Sequence, residues 1–263
     1  MAEEMTQLVT VEEPPVAENE QVKALLVLLK ENDAPGWREF AVLISHMTEM
    51  ERQLADALDD LQGIHERLQE VENQSLKSVL KKNYQSLQKN ANTLRQSVSE
   101  LKKQVVEGCK NILEDFQVRG SVALNGITRF LHLKPALETV QKAVEKSTQA
   151  CDRAVSRIDA FSKEYHKAGL HLKNMGHALR GRTAESEVKG TGWVADAFKG
   201  GFKLVRHFSS KVGQSAEQSL VALARLEYAA QGRPSVLDAM REQKEKTEKG
   251  KSVSLSSCDK ESR

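Results

Sequence analysis

A seven-residue apolar register runs through most of the first 180 positions of the chain. Phe40, Met47, Leu54, Leu61 and Leu68 fall seven apart, and Leu43, Met50, Ala57, Ile64 and Val71 repeat that interval three positions later. The register breaks near Asn73. It resumes with Leu80, Leu87, Leu94 and Leu101, accompanied by Tyr84, Ala91, Val98, Val105 and Ile112. A third run holds Leu137, Val144, Cys151, Ile158, Tyr165, Leu172 and Leu179. Apolar positions recurring about every 3.5 residues give a helix a narrow seam that it buries against another helix. The pattern predicts an all-α fold: an elongated antiparallel bundle of three long coiled-coil-like helices, with short flanking helices and disordered termini.

The breaks in register set the predicted boundaries. Asn19 is placed to cap a short helix through Leu29, with Val22, Leu25, Leu26 and Leu29 on one face. Asn32-Asp-Ala-Pro-Gly36 is a stop-and-restart signal, and Pro35 suits the first position of a new helix running to about Glu72. Val71 and Leu80 are nine apart, so a single straight helix would turn its stripe away from the seam. A hairpin fits better than one bent helix with a phase shift, with Asn73 in a left-handed C-cap and Ser75 capping the next helix. That helix is expected over Leu76–Gln117. A small helix follows over Val122–Leu131, and a third long helix opens at Pro135 and ends near Leu179.

The chain divides accordingly. Residues 1–18 form an acidic, disordered tail and 19–180 the long-helix bundle. Residues 181–231 hold a glycine-containing linker (181–192) and amphipathic C-terminal helices, read as two pieces, 193–212 and 214–230. A solvated helical stub and disordered tail occupy 232–263. Gly200 and Gly201 weaken the first of the two C-terminal helices by about 1 kcal/mol each relative to alanine.

Composition narrows the class further. Apolar residues make up 39% of the chain, charged residues 29% and aromatics 5%. That suits narrow seams flanked by solvated faces rather than a broad enzyme core. Net charge is only +2, but charge is uneven: Glu3, Glu4, Glu12, Glu13, Glu18 and Glu20 crowd the first twenty residues, which hold no Lys or Arg. The acidic start is the opposite of a signal peptide's basic region. The longest apolar run, Ala24–Leu29, is far shorter than the ~20 residues a membrane span needs. Cys109, Cys151 and Cys258 are too widely spaced for a paired motif. Cys151 sits on the seam as a small hydrophobe, and a reducing cytoplasm is the expected compartment.

No catalytic constellation emerges. The seven histidines are scattered, and nucleotide-binding, nucleophile-elbow and zinc signatures are missing. The expectation is a non-enzymatic scaffold or interaction protein without cofactor or metal, whose partners are other proteins or a second copy of itself. Two segments stand above background. Residues 193–208 carry Trp193, Phe198, Phe202 and Phe208 with Lys199, Lys203 and Arg206 between them. Such a face suits docking on the bundle, on a partner or on a membrane surface. Lys173, Arg180 and Arg182 form a possible basic patch near the end of the third long helix. Nucleic acid is its weaker reading, because bases in the last turns of a helix also complement the macrodipole.

Several stretches resemble an uncharacterised bacterial family carried on mobile and conjugative elements of gut Firmicutes. They are Gln21-Val-Lys-Ala-Leu-Leu, Leu131-His-Leu-Lys-Pro-Ala-Leu, and Glu164-Tyr-His-Lys-Ala-Gly-Leu-His-Leu-Lys-Asn-Met-Gly. The ending Gly232-Arg-Pro-Ser-Val-Leu-Asp-Ala-Met-Arg is similar to the basic tails of such proteins. The resemblance implies a bacterial, cytoplasmic setting, admits an accessory nucleic-acid-binding role as an alternative, and assigns no functional residues.

Overall fold

Capping chemistry fixes where the helices begin. In the computed structural model, which describes residues 14–181, 183 and 193–231, the helices are α1 (Glu20–Glu31), α2 (Trp37–Glu70), α3 (Gln74–Arg119), α4 (Lys134–Leu179) and α5 (Trp193–Gln231). No strand occurs among the described residues. The expected tails at 1–13 and 232–263, and most of the 181–192 linker, lie outside them. Asn19 caps α1 as its type predicts: its Oδ1 accepts the Gln21 and Val22 N–H groups. Pro35 does not open α2. Gly36 takes the cap in a left-handed conformation, with φ at +83°. A Cβ there would also lie 2.7 Å from Leu226 Cδ1, so the turn needs glycine on two counts.

The hairpin after α2 is present, with the capping roles redistributed. Val71 to Asn73 are the only non-helical residues between α2 and α3. Asn73, at φ −68°, starts α3 instead of closing α2, and its Oδ1 accepts the Leu76 N–H at 3.0 Å. Ser75 therefore sits inside α3. Three residues leave no room for one residue to finish a helix and another to begin the next.

Between α3 and α4 lies a 14-residue 3₁₀ segment, Gly120–Leu133, longer than the small helix expected at 122–131. Leu124, Ile127, Phe130 and Leu133 are all buried and recur every three residues. A 3₁₀ helix has about three residues per turn, so that spacing aligns all four on one side. The Phe130 ring stacks on Phe40 with centroids 4.6 Å apart, and it packs on the α3 backbone at Gly108, where a Cβ would meet it at 2.7 Å.

The long helices run antiparallel to their neighbours, as cross-helix pairs show. His65 meets Tyr84 between α2 and α3, and Asn83 accepts from Arg157 between α3 and α4. Asp159 pairs with Lys199, and Asp152 with Arg206, between α4 and α5. The most extensive contact is α2 with α5. The expected C-terminal pair of short helices is one continuous 39-residue helix, a fourth long member of the bundle. Gly201 and Gly213 do not break it, because each faces a neighbour at close range. A Cβ would lie 2.8 Å from Ile64 Cγ1 at Gly201 and 3.0 Å from Val144 Cγ1 at Gly213. The glycines let α5 approach α2 and α4, and packing offsets their poor helix propensity.

The core is in two stretches. One gathers α1, the first half of α2, the end of α3, the 3₁₀ segment and the start of α4; the other gathers the second half of α2 with the facing parts of α3, α4 and α5. Where they meet, Ser147 and Ser209 are fully buried and their hydroxyls are 3.1 Å apart. Cys109 and Cys151 lie in the core, where burial pushes each thiol up to about 12. No helix of the described residues is long and apolar enough to cross a membrane.

Candidate interaction surface

Helix α4 is longer than its surroundings. Helices α3 and α4 have 46 residues each, but the 3₁₀ segment takes up the last stretch of α3, so α4 starts part-way along its neighbour. Having equal length, it overshoots at the other end. The overshoot starts at Tyr165, whose hydroxyl accepts from Asn73 Nδ2 at the α2–α3 turn. Helix α5 runs out at the same level: Lys199 faces Asp159, which puts Trp193, six residues earlier, opposite position 165. The fourteen residues from His166 to Leu179 thus form an arm about 21 Å long.

The seam continues onto this arm although the bundle does not. Leu137, Cys151 and Ile158 are 0% exposed, and Val144 is buried. The next three members of the same register, Tyr165, Leu172 and Leu179, are 55%, 66% and 84% exposed. Ala168 and Met175 supply the companion positions, and Met175 is exposed as well. The arm presents a two-position apolar seam of the kind that packs inside the bundle, open to solvent.

The charge of the arm is one-sided. Residues 163–181 hold Lys163, Lys167, Lys173 and Arg180 against Glu164 alone, and Glu164 is paired with Lys167 at 2.8 Å. His166, His171 and His177 lie on the same stretch, and His177 Nδ1 is 3.2 Å from the Thr183 carbonyl oxygen. Of the expected basic patch, Lys173 and Arg180 are on the arm and exposed; Arg182 lies outside the described residues. At the arm's foot is a cleft of about 510 Å³ lined by Arg67, Glu70, Val71, Asn73, Leu76 and Phe198, among others. Arm and cleft share one end of the molecule.

The segment 193–208 is placed differently from the arm. Phe198 and Phe202 are 2% and 0% exposed within the bundle core, and Phe208 is half-buried with its ring edge-on to His207. Trp193 opens α5, but its side chain lies outside the description. Lys199 bonds Asp196 at 2.7 Å and Asp159 at 2.9 Å, and these partners, Asp196 foremost, hold its pKa above the usual lysine value. Arg206 reaches Asp152 on α4 at 2.8 Å, while Lys203 is exposed. The aromatic face of this segment is turned into the bundle, and two of its bases tie it to α4.

Among the described residues, no three His, Cys, Asp or Glu side chains gather to hold a metal ion. The signal that separates the arm from the bundle was in the sequence. The third heptad run reads the same from Leu137 to Leu179, but acids nearly vanish after Glu164, and Gly169 and Gly176 enter seven apart.

A family model described as a family of unknown function, DUF6674, matches residues 18–263. No curated protein and no solved structure matches the chain.

Proposed function

We propose that this chain, which belongs to the DUF6674 family of unknown function, is a non-enzymatic helical scaffold that engages another protein through the α4 arm. One observation carries the reading: the register that buries Ile158 completely leaves Leu172, Met175 and Leu179 exposed, without a change of residue class. A seam of this kind is stable in water when a second helix covers it. The rest of the molecule is a rigid mount. The four long helices hold α4 from Pro135 to Tyr165 and set the direction of the arm. A bacterial cytoplasmic setting on a mobile element is part of the same proposal and rests on the sequence resemblance.

Placement of the aromatics disfavours a lipid-inserting role for 193–208, because Phe198 and Phe202 would have to leave the core to reach a bilayer. The test of the scaffold reading is capture from the native host with in-cell crosslinking, comparing the wild-type chain with Leu172→Asp/Met175→Asp. Both positions are exposed, so the variant keeps its helical spectrum and melting temperature. Loss of specific crosslinked proteins supports the reading; an identical set in both samples refutes it.

A further inference from the structure

We infer that the occupant of the arm is an acidic amphipathic helix of a different protein, seated along Tyr165, Ala168, Leu172, Met175 and Leu179. The inference rests on the scaffold reading above and adds the partner's chemistry. Three features of the arm specify it.

The first is the width of the apolar face. Positions 165, 168, 172, 175 and 179 follow the alternating three-and-four spacing of a coiled-coil seam. Lipid-inserting helices use a broader face with large aromatic and aliphatic residues. Here Tyr165 is the only aromatic of the five, and its hydroxyl is engaged by Asn73.

The second is the flank. Gly169 and Gly176 occupy the column beside the seam, and a Cβ at either would meet nothing within 4 Å. With no side-chain wall in that column, a partner helix comes close to the arm backbone and leans to that side. The next column holds His166, Lys173 and Arg180, again seven apart. A helix leaning over the glycines therefore brings its own flanking side chains to a row of bases, where Glu or Asp is favoured and Lys or Arg is repelled.

The third is what the other occupants lack. A second copy would bring a face with the same four bases and single acid against the first, a like-charge contact. Residues 182–192 contain one aliphatic side chain larger than alanine, Val188, and supply no matching seam.

The experiment measures fluorescence anisotropy of two labelled synthetic peptides, each about three heptads long, on the full chain. Both carry Leu at the seam positions; one has Glu at the flanks and the other Lys. The acidic peptide is expected to bind about tenfold or more tighter than the basic one, with the difference shrinking as salt rises. Lys173→Glu/Arg180→Glu is expected to reverse the preference, Lys173→Gln/Arg180→Gln to remove it, and Leu172→Asp to abolish binding of both. Circular dichroism checks that each variant remains helical. Equal binding of both peptides, tighter binding of the basic one, or no binding of either overturns the inference. So does wild-type dimerisation in light scattering that Leu172→Asp dissolves. Binding to phosphatidylserine vesicles or duplex DNA, lost in Lys173→Glu/Arg180→Glu while the acidic peptide does not bind, also overturns it. If Leu172→Asp/Met175→Asp loses its crosslinked partners while neither peptide is preferred, the scaffold reading stands and the acidic partner falls.

Discussion

Asn73 Nδ2 donates to the Tyr165 hydroxyl at 3.3 Å, across 92 positions of sequence, and this bond marks the level at which α4 leaves the bundle. The same asparagine caps α3 through its Oδ1. One side chain thus starts a helix and fastens the foot of the arm. Asn73→Ala removes both contacts and is expected to cost about 1 kcal/mol, mostly through the lost cap. Tyr165→Phe removes only the exposed bond and should cost less than about 0.5 kcal/mol. Urea unfolding midpoints of the two variants check the order.

Gly200 and Gly201 are adjacent, yet substitution should move stability in opposite directions. Gly200 is exposed with open space around a Cβ position, so Gly200→Ala gains about 1 kcal/mol in helix propensity. At Gly201 the same Cβ would lie 2.8 Å from Ile64 Cγ1, and Ile64 is 2% exposed in a packed core. Overpacking there outweighs the propensity gain and leaves a net loss of about 1 kcal/mol. Thermal unfolding of the two alanine variants distinguishes the sites.

Asp60 gives the pH dependence a sign. Its Oδ2 is buried without a hydrogen-bond partner among the described residues. Burial, followed by the charges of Asp56 and Asp59, raises its pKa above the ordinary carboxylate value. The folded state then binds the proton more tightly than the unfolded state. Its contribution is fully present below the unfolded pKa and is lost as pH rises through the raised folded value. Asp60→Asn should match the wild type near about pH 3 and exceed it by about 1 kcal/mol near about pH 7. Urea titrations across that range check both ends.

The bundle was legible in the sequence because it is built from the repeat that the sequence displays. Leu80, Leu87 and Leu94 on α3 are buried as their spacing predicts. Three things were harder to read. The 3₁₀ segment announces itself in the three-residue spacing of Leu124 to Leu133, a period that a search for helical and strand periods passes over. The continuity of α5 through Gly201 and Gly213 depends on Ile64 and Val144, residues of other helices that local propensity does not register. The arm was hidden for the opposite reason. Leu172 and Leu179 satisfy the heptad as well as Leu137 does, and only the length taken up by the 3₁₀ segment decides which end of α4 lacks neighbours.

Hydrogen exchange along α4 tests the partner-binding arm most directly. A lone fourteen-residue helix with Gly169 and Gly176 in it is marginal in water, whereas residues 137–158 are locked in the core. In the free chain, amides of 166–179 should exchange far faster than those of 140–160. In the crosslinked complex recovered from the host, the arm should slow toward the bundle's rate while 140–160 stays unchanged. Equal protection of both stretches in the free chain, or an arm that exchanges as fast in the complex as without it, would contradict a seam held open for a partner.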